Sequence, residues 1–71
     1  MERFLRYSLN KGRKIRAMLM LDGHLQQKTV AVLALDEATV TLALTAKKAP
    51  VTLPLSDIFS CDYARGDHGE D

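Results

Sequence analysis

Residues 28–63, KTVAVLALDEATVTLALTAKKAPVTLPLSDIFSCDY, decide the fold class of this chain. Short apolar runs alternate there with compact turn signals, and the apolar residues do not recur at helical spacing. Val40, Leu42 and Leu44 alternate with Thr39, Thr41 and other small side chains, which is typical of a strand with one buried face. The stretch therefore predicts an all-β fold built as a small, strongly curved barrel.

The turn signals divide the whole chain into short predicted strands. Asp22-Gly23 is the strongest hairpin signal, because a two-residue loop of this type matches the twist of the flanking strands. Pro50 and Pro54 lack the N–H that a ladder needs, so their strand is expected to be short, bulged or at an edge. The predicted strands are residues 4–9, 13–21, 25–35, 39–45, 51–55 and 58–63.

The sequence leaves two questions open, the conformation of residues 14–21 and the number of strands. Residues 14–21, KIRAMLML, contain good helix formers, although turn residues close on both sides favour a strand. Ser56-Asp57 predicts a single 3₁₀ turn, and the strand count is five or six depending on whether the segments around it form one bent strand. In the closing strand, Phe59, Cys61 and Tyr63 are expected to face the core.

The length and composition of the chain predict one soluble domain. Its 71 residues suffice for a β-barrel domain over residues 1–64 and a flexible acidic tail over residues 65–71. Cys61 is the only cysteine, and residues 1–9 carry charges where a secretion signal would be apolar. No apolar run approaches the length of a membrane span. We expect a cytoplasmic protein that has no membrane partner.

Charge is distributed unevenly along the chain although the net charge is only +1. Residues 1–16 hold six basic side chains against Glu2, whereas residues 56–71 hold five acids against Arg65. The turn predicted at residues 10–12 would make the basic segment a hairpin that can meet phosphates or other anions. The candidate ligand-binding residues are Arg6, Tyr7, Lys11, Arg13, Lys14 and Arg16.

Catalytic and metal chemistry have little support in the sequence. A nucleophilic Cys61 would need a nearby base, and only His24 and His68 could serve, one in a hairpin turn and one in the tail. Nothing orients Asp57 and Asp62 as a catalytic carboxylate pair. We therefore expect no enzyme activity, no cofactor and no metal site.

The order of elements resembles the WYL domain, a small Sm-like barrel of bacterial regulators. The likeness rests on Leu5-Arg6-Tyr7-Ser8-Leu9, on Arg13 and Ile15, and on the closing Leu53-Pro54-Leu55-Ser56-Asp57-Ile58. The tripeptide that names the family is absent, since the comparable strand reads Ala31-Val32-Leu33-Ala34-Leu35. The resemblance implies a partly open barrel of the Sm-like or Src-homology-3 type, a bacterial regulatory setting and a nucleic-acid or nucleotide ligand.

The sequence thus predicts a stand-alone binding module that contacts RNA, DNA or another anionic ligand through the basic hairpin. The alternative is a protein-interaction or self-association module that pairs through an exposed strand edge. A homo-oligomer or a protein partner would follow from that second function.

Overall fold

The chain begins with a helix where the sequence predicted a strand. The computed structural model describes residues 1–69, and in it α1 spans Glu2–Lys11. Leu5 and Ser8 are buried three residues apart on one helical face, with Leu9 partly buried beside them. The strand predicted over residues 4–9 is therefore wrong, because this face packs onto the sheet as a helix.

The turn predicted at residues 10–12 is the end of this helix. Gly12 adopts a left-handed conformation, with φ of 67°, and its N–H donates to the carbonyl oxygen of Ser8 at 2.9 Å. The predicted basic hairpin is consequently a junction between a helix and a strand.

Five antiparallel strands follow and form one sheet in the order β4-β3-β2-β1-β5. They are β1 (Ile15–Leu21), β2 (His24–Leu35), β3 (Thr39–Ala43), β4 (Val51–Pro54) and β5 (Ile58–Tyr63), with a 3₁₀ turn over Leu55–Asp57. The sheet is not closed, since β4 and β5 are its two edges. The predominantly β fold, the 3₁₀ turn and the edge position of the proline strand are confirmed.

The hairpin between β1 and β2 is the one that the sequence predicted. Asp22 and Gly23 have φ angles of 52° and 78°, as a two-residue turn of the primed type requires. Leu21 pairs with His24 across this turn. The buried residues of β1 are Ile15, Ala17 and Leu19, which alternate along one face of the strand.

Strand β2 is shared by two halves of the sheet. Its first half pairs with β1 up to Ile15–Val30, and its second half pairs with β3 from Ala31 onward. The β2–β3 register shifts between Val32 and Ala34, which leaves Leu33 at a bulge and 49% exposed. The long strand therefore changes partner between Val30 and Ala31, and its bulge lies just beyond that point.

A second bulge changes which side chains of β5 face the core, compared with the prediction. The register with β1 shifts so that Leu19 pairs with Ile58 while Met18 pairs with Ser60. Ile58 is consequently buried, whereas Phe59 at the bulge is 55% exposed. The prediction that Phe59 faces the core is wrong, because one extra residue in the strand changes the alternation.

The core lies between α1 and the inner face of the sheet. Its buried apolar members are Leu5, Ile15, Ala17, Leu19, Val30, Val32, Val40, Leu42 and Ile58. Cys61 is half-buried against this cluster. Within residues 1–69, no helix is long and apolar enough to cross a membrane. Residues 70 and 71, the last two of the predicted tail, lie outside the described part of the chain.

Candidate anion-binding surface

The junction between α1 and β1 is held in place by Ser8. This side chain is 1% exposed, and its hydroxyl donates to the carbonyl oxygen of Arg13. The Ser8 hydroxyl oxygen also accepts the N–H of Val32 at 2.9 Å. Because Val32 lies two residues beyond the last β1–β2 pair, the hydroxyl satisfies a strand N–H where β1 is no longer present. The Arg13 backbone is thereby fixed against both the helix and the sheet.

Tyr7 and Arg13 meet the same carboxylate. The Tyr7 hydroxyl lies 2.9 and 2.7 Å from the two oxygens of Asp67, and an Arg13 guanidinium nitrogen lies 3.6 Å from Oδ1. The Asp67 side chain is only 13% exposed, whereas that of Arg13 is 47% exposed. Sequence reasoning did not foresee this contact, which joins α1 to a segment sixty residues away.

The segment that carries Asp67 packs against an aromatic cluster. The Tyr63 ring makes edge-on contacts with Phe4 and Tyr7, at centroid distances of 4.8 and 5.2 Å. Gly69 lies so close that a Cβ there would stand 2.6 Å from the Tyr63 ring and hydroxyl. Gly69 also donates its N–H to Asp67 Oδ1 at 2.9 Å. Residues 67–69 are thus held over the aromatic rings by specific contacts.

Arg16 lies on the neighbouring part of the same side of the molecule. Its Nε donates to the Tyr63 carbonyl oxygen at 2.9 Å, and its guanidinium lies 3.6 Å from Asp62. A shallow cavity of about 440 Å³ adjoins it and is lined by Arg16 and residues 62–68. Arg65 and His68 are basic side chains in this lining that the sequence prediction did not include.

The structure divides the six predicted ligand residues. Tyr7, Arg13 and Arg16 gather along residues 62–69, and we call these three the arginine surface. Arg6 lies on the other flank of α1, where it pairs with Glu2 at 2.7 Å. Lys11 and Lys14 are exposed near the junction between helix and strand. The role of all six in ligand binding stays a prediction.

The electrostatics of the arginine surface favour an ionised carboxylate beside a protonated phenol. Partial burial and the hydrogen bond to Asp67 raise the pKa of Tyr7. The N–H of Gly69, followed by the Tyr7 hydroxyl, lowers the pKa of Asp67. Because the Asp67 pKa is lower in the folded state, its stabilising contribution is present above the unfolded pKa and is lost as pH falls through the folded value.

Other candidate chemistry is sparse. Among residues 1–69, no three His, Cys, Asp or Glu side chains lie together as metal ligands. Burial raises the pKa of the Cys61 thiol, which disfavours the nucleophilic thiolate.

Comparisons with known protein families, curated proteins and solved structures find no match to this chain.

Proposed function

We propose that this chain is a non-enzymatic binding module whose arginine surface binds RNA, DNA or another anionic ligand. One observation supports the proposal above others: the Tyr7 hydroxyl and the Arg13 guanidinium already hold a carboxylate, that of Asp67, between them. A phosphate presents the same kind of oxygen acceptors to these donors. Arg16 adds a second guanidinium along the same side, where its side chain is 43% exposed.

Binding through this surface should depend on salt. We expect a fluorescently labelled oligouridylate to bind with an affinity that falls as the salt concentration rises, by about 0.7 logarithmic units of affinity per unit of log salt for each phosphate contact. Arg13→Ala should remove about one such contact and reduce the slope accordingly. Fluorescence anisotropy over a range of salt concentrations measures both quantities.

Lys47→Ala is the matched control, since Lys47 is exposed in the loop between β3 and β4 and is not one of the six predicted ligand residues. It should leave the salt slope close to that of the parent chain. A parent chain that shows no binding at low salt, or binding that does not change with salt, would contradict the proposal.

We further propose that the fold is a partly open barrel of the Sm-like or Src-homology-3 type. The support is the strand order, the change of partner along β2 and the 3₁₀ turn before β5. A relation to WYL domains and a bacterial regulatory setting belong to the same proposal, and they rest on the short motifs of the sequence. A cytoplasmic location rests on composition alone.

A second candidate function is self-association through a strand edge. The observation that favours it is Phe59, which lies 55% exposed at a bulge in the edge strand β5. If this edge pairs with a second copy, the sedimentation coefficient should rise with protein concentration, and Phe59→Ser should weaken the rise. Leu25→Ser, which replaces an exposed leucine on the central strand β2, should not weaken the rise. A monomer at all concentrations would exclude this function.

A further inference from the structure

A second concave site lies on the flank of α1 away from the arginine surface. This groove, of about 380 Å³, runs between α1, the β2–β3 turn and the 3₁₀ turn, and its volume is typical of clefts that hold ligands. It is lined by three leucines: Leu5 of α1, Leu35 at the end of β2 and Leu55 of the 3₁₀ turn. Leu5 is 1% exposed and forms part of the core, and the partly buried Leu35 and Leu55 pack against that core. The Leu55 N–H donates to the Ala38 carbonyl oxygen at 2.8 Å, which ties the 3₁₀ turn to the β2–β3 turn.

The rim of this groove is acidic. Glu2, Asp36 and Glu37 line it, and Arg6 is the one basic residue in its lining within the described chain. Three carboxylates against one guanidinium leave an excess of negative charge. Arg6 is already engaged by Glu2, since its guanidinium lies 2.7 Å from that carboxylate.

The two acids of the β2–β3 turn differ in what they contact. Asp36 accepts the N–H groups of Ala38 and Thr39, each at 2.8 Å, and these bonds lower its pKa. It therefore carries its charge at neutral pH and is fixed in position. Glu37 is exposed and makes no hydrogen bond or ion pair within residues 1–69, so its carboxylate can meet an incoming cation.

An apolar floor below an acidic rim matches a side chain with an aliphatic shaft and a cationic end. Lysine and arginine have this form, because their methylene groups pack on apolar surface while the charged group reaches outward. We propose that this groove binds a lysine or arginine side chain carried between apolar residues on a segment of a partner protein. One shaft does not fill the groove, so an apolar neighbour on the same segment occupies the remaining leucine surface. The charge of this partner is opposite to that of the ligand proposed for the arginine surface.

The test is an NMR titration of the ¹⁵N-labelled chain with the peptide acetyl-LKLKL-amide. Shift changes should cluster at the backbone amides of Leu5, Leu35, Glu37 and Leu55, with a dissociation constant on the order of 0.1–1 mM for so small a contact. Glu37→Gln should weaken binding about threefold, as expected for loss of one exposed ion pair. Arg6→Gln should strengthen it by a similar factor, since Glu2 then becomes available to the ligand.

The controls separate the groove from general charge attraction and from the arginine surface. Asp22→Asn removes an exposed acid at the β1–β2 hairpin and should leave peptide binding unchanged. The acidic peptide acetyl-LELEL-amide should not bind, and n-hexylamine should bind more weakly than the basic peptide. If n-hexylamine binds as tightly as the basic peptide, the groove binds a small amine and the proposed protein partner is wrong. Shift changes spread over the whole surface, or an unchanged affinity in Glu37→Gln, would overturn the proposal. Oligonucleotide binding should be the same in Glu37→Gln as in the parent chain. The groove and the arginine surface are therefore tested independently of each other.

Discussion

Replacing Ser8 by alanine should destabilise the fold by about 2 kcal/mol, because it leaves a buried N–H without a partner. The hydroxyl is the acceptor for the Val32 N–H at 2.9 Å and a donor to the Arg13 carbonyl oxygen. A buried unsatisfied donor costs about 1–3 kcal/mol, which is a large share of the stability of a domain of this size. The melting temperature should fall by roughly 8–16 °C on the scale typical of small domains.

Chemical denaturation followed by circular dichroism measures this loss. Ser60→Ala is the matched control, since Ser60 is exposed on β5 and its hydroxyl has no protein partner within residues 1–69. This change should alter stability by less than about 0.5 kcal/mol. If Ser8→Ala unfolds at the same denaturant concentration as this control, the hydroxyl does not join the helix to the sheet in the way described.

Replacing Asp67 by asparagine should tighten binding of the oligouridylate by roughly tenfold, the scale of one charge-assisted contact. The carboxylate of Asp67 lies against the Tyr7 hydroxyl and near the Arg13 guanidinium, where the proposal places a phosphate of the ligand. Asparagine has nearly the same shape without the charge, so it should compete less well for the arginine. This prediction depends on the proposed anion-binding function. It tests whether residues 67–69 weaken oligonucleotide binding by occupying the ligand position.

Anisotropy titrations at one salt concentration compare the variants directly. Asp62→Asn should have a smaller effect, because the Asp62 side chain is 66% exposed and lies 3.6 Å from Arg16. Asp22→Asn, at the hairpin, controls for the change in net charge. If the parent chain binds the oligonucleotide and Asp67→Asn binds it no more tightly, Asp67 does not occupy the ligand position. A denaturation curve for each variant checks that the fold is intact.

Part of the candidate site could be predicted from the sequence. The excess of basic residues over residues 1–16 pointed to Arg13 and Arg16, and both lie on the arginine surface. Arg6 belongs to the other flank of α1, which follows from the helical conformation of this segment. Asp67 was assigned to a flexible tail, and its contacts with Tyr7 and Arg13 depend on packing between the two ends of the chain.

The N-terminal helix carried signals that were present in the sequence. Leu5, Ser8 and Leu9 recur at helical spacing, and Gly12 follows as a typical helix end. Residues 4–9 also alternate in polarity well enough to suit a strand. A segment of six residues is too short to distinguish the helical period from the strand period. The buried surface offered by β2 decides between them.

By itself, the sequence determined the local features of this protein. Alternation of polarity placed five of the six predicted strands, Asp22-Gly23 set a hairpin, and the lack of an N–H at Pro54 marked an edge strand. Only the tertiary structure decided the helix, the bulges at Leu33 and Phe59, and the contact of Asp67 with Tyr7. The physical reason is one of range. Backbone preferences and turn geometry act over a few residues, whereas a bulge, a docked helix or a shared carboxylate depends on side chains that only folding brings together.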